Sequence, residues 1–392
     1  MNILMLAPEP FFQPRGTPIS VYLRIKALTD LGHKVDLVTY HLGEDKTMSG
    51  LTILRTSNLF GIKKIKIGPS LAKIPLDFLL MLKAAGRLVK GQYDLIFSHE
   101  EAALFGVILG RLWRIPHLYD MHSSLPQQLE NFDFSRSRLL KKIFLRMEEM
   151  ILRNSESVIV ICPDLQKTVE SLGFGAKAVL LENIIEIDSP IPSHDDVVRK
   201  RKALGLLDKK VVLYAGNFQP YQGIPLLLEA AARISDERVA FLLVGESPAA
   251  VRRTREAAAK LGISDRIFFT GQVPPTHMPL YLELADALIS PRLSGTNTPL
   301  KIYSFLKTGK PLVATRLWTH TQILDDDIAV LVDPDPESMA EGLRCALFDP
   351  AGASRARAAR EMAARNYTID RYRERISLAL SKTQGDKESG AA

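Results

Sequence analysis

At 392 residues, with 46% apolar and 24% charged side chains, the chain is too long for one ordinary domain and too apolar to be disordered. Fifty-one Lys and Arg against 44 Asp and Glu leave a net charge of +7, which suits anionic ligands or lipid headgroups and carries no aromatic-interleaved basic motif of a nucleic-acid binder. Two distant cysteines, Cys162 and Cys345, lack metal-ligand spacing, argue against a disulfide framework and fit a reducing cytoplasm.

The opening NILMLA is too short for a signal peptide and runs straight into PEPFFQPRGTP. No uncharged apolar run reaches the roughly 18 residues that a bilayer span needs. Asn2–Ala7 reads as a buried strand, 8–18 as a Pro- and Gly-rich loop, 19–31 as a helix closed by Gly32, and Lys34–Thr39 as the next strand. This β-loop-α-β unit opens a parallel sheet. The loop holds Gly16 but no GxGxxG, so the dinucleotide fingerprint is absent; Arg15 and Gly16 are placed to approach a phosphate, although a plain crossover loop looks the same.

Residues 94–98 (DLIFS) and 116–120 (PHLYD) are two further strands, each followed by a polar turn and a helix. His99 and His122 stand just past them, at the edge where open α/β sheets bind ligands. Strands at 158–162 and 178–181 complete this half, with Asn183 after the last. SPIPSH at 189–194 reads as a linker and 195–207 as a charged helix. The alternation then restarts, with strands expected at 211–215, 240–244, 267–270, 287–290, 312–314 and 329–332. Helices fall at 224–234, 336–348, 352–367 and 369–380, before a polar tail.

The stretch 291–315 (PRLSGTNTPLKIYSFLKTGKPLVAT) joins two of those strands. Its polar turn is 295–298; Thr298 is the expected N-cap, Pro299 the first helical residue, and Gly309 the stop. A helix N-terminus at a strand end offers unpaired amides to a phosphate. Lys301 in the first turn is unfavourable for the helix alone and makes sense beside an anion.

With these segments, the chain resembles glycosyltransferase family 4, the retaining, nucleotide-sugar-dependent enzymes of the GT-B fold. LTDLGHKVDLVTY, DLIFSH and YDMHSS in the first half carry the resemblance, and so do LYAGNFQPYQGIPLLLEAA, FTGQVPPTHMPLYLELADALISP and TGKPLVAT in the second. It implies an α/β architecture: two Rossmann-like, doubly wound parallel-sheet domains facing across a cleft. The acceptor domain would be 1–188, with a C-terminal helix at 368–382 packing back on it. The donor domain would be 189–367, and 383–392 a disordered tail.

The resemblance also implies a role for particular residues. His122 matches the histidine that contacts the donor sugar, and His99 falls to the acceptor side. Donor contacts fall on Arg15, Gly16, Asn217, Gln222, Gly223, Val273, Thr296, Asn297, Thr298, Pro299, Leu300 and Ser304, with Lys301 beside His122 as a catalytic group. Two departures stand out. The family's acids, eight positions apart, fall on Thr296 and Ser304, and its diphosphate-binding Arg and Lys fall on Asn217 and Gln222, all neutral here. Lys301 is expected to replace the missing charge.

The expected activity is retaining transfer of a hexose from a UDP- or GDP-linked sugar, as co-substrate, to a glycan or lipid-linked acceptor of cell-surface polysaccharide or glycolipid. No other cofactor and no metal is expected, and Asp325, Asp326 and Asp327 read as a solvated turn. Two alternatives remain open: a non-catalytic GT-B regulator that binds nucleotide or sugar, and a nucleotide-sugar epimerase. Two basic stretches suit the anionic inner face of a membrane: Lys63, Lys64, Lys66, Lys73, Lys83, Arg87 and Lys90, then Arg136, Arg138, Lys141, Lys142 and Arg146. An ordinary solvated face over a core has the same pattern.

Overall fold

The computed structural model describes residues 1–13, 16–65, 73–127, 138–184 and 192–384. The chain divides into two compact units, Met1–Asn183 with Ile369–Ala392, and Ile184–Thr368.

The first unit is built on a seven-stranded sheet of β1 (Asn2–Ala7), β2 (Lys34–Thr39), β3 (Leu51–Arg55), β4 (Leu95–His99), β5 (His117–Met121), β6 (Ser157–Val160) and β7 (Ala178–Leu180). Every pairing is parallel and the order is β3-β2-β1-β4-β5-β6-β7. The crossovers carry α1 (Gly16–Asp30), α2 (Ile74–Lys90), α3 (Ala103–Trp113), α4 (Arg138–Arg153) and α5 (Pro163–Ser171). The strands β4, β5 and β6 are buried along their whole length, as a sheet covered on both faces requires. The edge strand β3 had no such signal. LTILR is only half-buried, so no continuous apolar run marks it.

The second unit repeats the plan with β8 (Lys210–Ala215), β9 (Val239–Val244), β10 (Ile267–Gly271), β11 (Ala287–Ser290), β12 (Leu312–Thr315) and β13 (Val330–Val332), in the order β10-β9-β8-β11-β12-β13. Its helices are α6 (His194–Ala203), α7 (Ile224–Ala232), α8 (Pro248–Lys260), α9 (Met278–Leu284), α10 (Leu300–Thr308), α11 (Trp318–Thr321), α12 (Pro336–Phe348) and α13 (Pro350–Asn366). Tyr214, Leu227, Phe241, Ile289, Val313 and Met339 meet in its core. The expected end of α6 at residue 207 is corrected to Ala203, because Gly205 takes a left-handed φ of 70° that ends the helix.

The last helix, α14 (Ile369–Thr383), belongs to the first unit and packs on α1, β5, β6 and β7. Tyr372, Ile376, Ala379 and Leu380 form its buried side, whereas Leu378 is exposed. The proposed linker residues 189–191, the tail 385–392, and Arg15, Lys66 and Arg136 lie outside the described residues.

The strand order of each sheet reverses once, the first between β1 and β4 and the second between β8 and β11. In open α/β sheets the ligand crevice lies beyond the strand ends at that reversal. The loops after β8 and β11 stand at the second reversal; the loop after β4 stands at the first, with the loop after β5 next to it.

Candidate functional site

In the second unit, Gly216 follows β8 and Pro291 follows β11, so the two loops at the reversal are 216–223 and 291–299. Gly223 has φ 74°, and a Cβ there would fall 1.8 Å from the Pro291 carbonyl oxygen, so only glycine lets the two loops meet. Side chains from around β12 and α11 hold the second loop by its carbonyls. Thr315 Oγ1 donates to Arg292 O at 2.6 Å, Thr319 Oγ1 to Asn297 O at 2.7 Å, and Gln322 Nε2 to Thr296 O at 2.7 Å.

The helix start corrects the expected cap. Helix α10 begins at Leu300, and Pro299 is the cap residue in an extended conformation (φ −64°, ψ 132°) without any side-chain cap bond. Because Pro299 is itself extended, the cap position falls on it and Thr298 stands one residue outside the helix, where its hydroxyl makes no cap bond. Thr298 is buried and its Oγ1 has no hydrogen-bond partner. The amides of Leu300 and Lys301, in the first turn, also find no acceptor among the described residues.

Lys301 reaches from that first turn across to the first loop. Its Nζ donates to Gln222 Oε1 at 3.2 Å and lies 4.0 Å from the centre of the Tyr214 ring. Burial, and then the neighbouring Arg292 charge, push its pKa down to about 7. Arg292 lies over the Tyr221 ring at 5.2 Å and donates to Ser294 O at 2.7 Å and Asn297 O at 3.2 Å. Burial also lowers the Arg292 pKa. Among the described residues, neither cation meets a carboxylate. Two sheltered like charges, free amides and an unsatisfied hydroxyl thus stand together at this helix start, the kinds of group that bind anions in proteins.

The structure thus gathers Gln222, Gly223, Thr298, Pro299, Leu300 and Lys301. Asn217 stays local: its carbonyl accepts from the Tyr214 hydroxyl and its Oδ1 from the Gln219 amide at 3.2 Å. Thr296 and Asn297 contribute the pinned carbonyls, and Ser304 sits one turn into α10. Val273 follows β10 at the far edge of the sheet and is not brought to Lys301 by any hydrogen bond. Arg292 was missed by sequence reasoning, although an arginine directly after Pro291 at a buried strand end was a readable signal.

In the first unit, Gly16 is the first residue of α1. His99 ends β4 and His122 follows β5. Both close on Asp120: His99 Nδ1 and His122 Nε2 each lie 3.2 Å from Asp120 Oδ2, and the two nitrogens are 3.4 Å apart. Arg24 Nε donates to the same oxygen at 3.0 Å. Burial works to raise the Asp120 pKa, but Arg24 and both imidazoles overcome it and hold the carboxylate well below its ordinary range. His99 stacks on Phe97 at 5.1 Å, and burial lowers its pKa. Next to it, Glu100 has a left-handed φ of 50° and accepts from Ser123 Oγ at 2.9 Å.

The ligating atoms of His99, Asp120 and His122 lie within 4.8 Å of one another, a donor set suited in type to a divalent metal. Arg24 already supplies the positive charge on that carboxylate oxygen, so an added dication would face a guanidinium. The geometry therefore favours a hydrogen-bonded group.

The basic stretches are thinner than expected. Lys73 is tied to Glu101 at 2.8 Å, and Arg87 to Asp36 at 2.6 Å. The exposed surface of α2 is instead apolar, with Ile74, Phe78 and Leu82 at helical spacing and Val89 beyond them. No helix among the described residues is long and apolar enough to cross a membrane.

Two doubly wound parallel sheets, each with a polar cluster beyond its strand ends at or beside the reversal of strand order, define a protein of the GT-B class. The chain superposes on sucrose-phosphate synthase from Thermosynechococcus elongatus with a TM-score of 0.78 (20% identity, 97% of this chain and 98% of that one). It superposes on Anabaena HepE in complex with UDP with a TM-score of 0.76 (20% identity, 97% and 100%). The model for Glycosyltransferase Family 4 matches residues 14–189, and that for Glycosyl transferases group 1 matches residues 209–349. The chain belongs to family 4 of the glycosyltransferases. Among curated relatives, the D-inositol 3-phosphate glycosyltransferase of Acidothermus cellulolyticus is 24% identical over 286 residues, which are 69% of this chain and 63% of that protein.

Proposed function

We infer that the chain is a retaining hexosyltransferase that uses a nucleotide diphosphate sugar and acts on a hydroxyl of a glycan or lipid-linked acceptor. The observation that carries this reading is the pair Lys301 and Arg292, two sheltered cations without a carboxylate partner among the described residues. Beside them are the unsatisfied Thr298 hydroxyl and the free first-turn amides. A diphosphate is the anion that such a cluster would stabilise most as its charge grows on departure. In this reading the bond from the anomeric carbon to the diphosphate breaks, the acceptor oxygen attacks the same face, and its proton passes to a phosphate oxygen. That HepE, which shares this fold, is solved in complex with UDP and with UDP-glucose supports a uridine donor.

Incubation with a panel of UDP- and GDP-sugars tests this reading. Release of nucleotide diphosphate in the presence of EDTA, with retained anomeric configuration in the product, is the expected result. A changed sugar would point to an epimerase, and binding without chemistry to a regulator.

The pH dependence of nucleotide binding follows from Lys301. In the free protein its pKa is about 7, and a bound diphosphate will raise it. The contribution of its charge to affinity is complete below the free-state pKa and is lost as pH rises through the bound-state pKa. Calorimetry with UDP between about pH 6 and about pH 9 should show falling affinity and proton uptake on binding at neutral pH. Constant affinity with no proton uptake would remove Lys301 from the site.

The reading places the enzyme at the anionic inner face of a membrane, through the exposed Ile74, Phe78 and Leu82 of α2 with Lys83 and Lys90 beside them. Flotation should recover the protein with anionic vesicles and not with neutral ones, and Phe78→Ser should reduce recovery several-fold. Equal failure on both vesicle types would exclude this surface.

A further inference from the structure

Arg24 is fully buried in the middle of α1, and its guanidinium ties that helix to three other parts of the first unit. Nε donates to Asp120 Oδ2 at 3.0 Å, Nη1 to Asn183 Oδ1 at 3.2 Å and to the Tyr372 hydroxyl, and Nη2 to the Leu181 carbonyl at 3.3 Å. Tyr372 comes from α14, 348 positions along the chain, and its ring lies 5.2 Å from the Arg24 Cζ. A buried guanidinium therefore connects the C-terminal helix to the carboxylate that holds the two histidines.

The arrangement fixes protons as well as rings. Ionised Asp120 can only accept, so His99 Nδ1 and His122 Nε2, each 3.2 Å from its Oδ2, must both carry hydrogen. Their 3.4 Å contact is then donor against donor, tolerated because the carboxylate oxygen lies between them. Arg24, His99 and His122 all converge on Asp120 Oδ2; among the described residues, buried Oδ1 has no partner, and neither has buried His99 Nε2. Ordinary core packing would satisfy both carboxylate oxygens. This one leaves a buried acceptor unsatisfied while directing one oxygen at both imidazoles.

We propose that Arg24, Asp120 and Tyr372 are positioning residues, which hold His122 in the Nε2–H tautomer and in one ring orientation, so that the C-terminal helix takes part in setting the reactive histidine. This rests on the reading of His122 as a donor-sugar contact. The chain of action runs from Tyr372 to Arg24, from Arg24 to Asp120, and from Asp120 to His122. Removing the carboxylate charge frees the imidazoles to exchange tautomers, as happens when an orienting acid is lost from a histidine.

The test uses the full chain with 15N-labelled histidine and two substitutions. Asp120→Asn should move the His99 and His122 ring nitrogens from the Nδ1–H and Nε2–H patterns to averaged signals. It should lower kcat for UDP release from the active UDP-sugar by about 10–100-fold, with KM changed less than about twofold. Tyr372→Phe keeps the ring over Arg24 and removes the hydroxyl, so it should fold normally and give a smaller shift of the same signals and a several-fold loss in kcat. Should both variants keep wild-type ring signals and kcat, the group is only structural and the proposal is overturned. If no nucleotide sugar is turned over by wild type, the transferase reading fails, and the ring signals alone still decide whether Asp120 and Tyr372 set the tautomer.

Discussion

Lys301→Ala will lower the transfer rate by about 10²–10³-fold, the scale for removing one strong donor from a developing anion. The reasoning starts from the cost that the wild-type protein carries. Lys301 stands at a helix N-terminus, where the dipole opposes a cation, and burial and Arg292 push its pKa down to about 7. A diphosphate reverses both penalties, and the reversal is largest when the glycosidic bond has broken and the charge is greatest. Binding of UDP should weaken by about 10–100-fold, the range for a hydrogen bond to a charged group. Lys301→Arg should recover only part of the rate, because a planar fork does not reproduce a point charge in that space. The space is narrow: a Cβ on Gly216 would lie 3.3 Å from Lys301 Nζ and 3.1 Å from the Tyr214 hydroxyl. The ligand-free Lys301→Ala protein should melt no lower than wild type, since a disfavoured charge has gone, while the stabilisation by added UDP should largely disappear. Rates, calorimetry and melting with and without UDP check all of this. A Lys301→Ala protein with wild-type rate and UDP affinity would move the site to other residues.

Arg24→Met will be the most destabilising substitution, at about 3–5 kcal/mol, because it leaves the Asp120 charge buried without its cation. Methionine fills much of the same volume, so lost packing is a minor part of the cost. Arg24→Met combined with Asp120→Leu should recover part of the loss, since a buried pair can be replaced by apolar side chains at little cost. Recovery will be incomplete, because His99 and His122 then lose the oxygen they share. The chain has two tryptophans, Trp113 in the first unit and Trp318 in the second. In a Trp318→Phe background, urea unfolding followed by Trp113 fluorescence reports the first unit alone. A loss below about 1 kcal/mol for Arg24→Met would show that Asp120 is stabilised by something other than this pair.

How much was legible from the sequence follows from what local patterns can carry. Continuous apolar runs such as NILMLA and ALIS mark strands covered on both faces, and Gly309 after TPLKIYSFLKT marks a helix end. Those signals report burial and backbone freedom residue by residue, so the alternation of strands and helices, the restart at residue 211, and the polar turn before Lys301 could all be read directly. The half-buried β3 could not, since LTILR looks like loop when only one face is covered. Nor could the proline cap be read, because two adjacent residues, Thr298 and Pro299, both suit a helix start, and only the backbone geometry decides between them. A partial signal did exist for Arg24, which shares a helix face with Val21 and Leu28 and is a cation on an otherwise apolar stripe.

Which charges meet was decided by the tertiary structure alone. Lys73 and Arg87 counted as surface cations in the sequence and proved to be tied to Glu101 and Asp36. Arg292 joined Lys301, and Tyr372 joined Arg24 and Asp120 across almost the whole chain. Hydrophobic periodicity is a property of neighbours along the chain, whereas the electrostatics of a site depends on distances between residues that the fold brings together and on the water it removes from them. The amino-acid sequence therefore determined most of the elements, the sheet type and the family, and the folded chain determined that Lys73 and Arg87 meet carboxylates and that Arg292 stands beside Lys301.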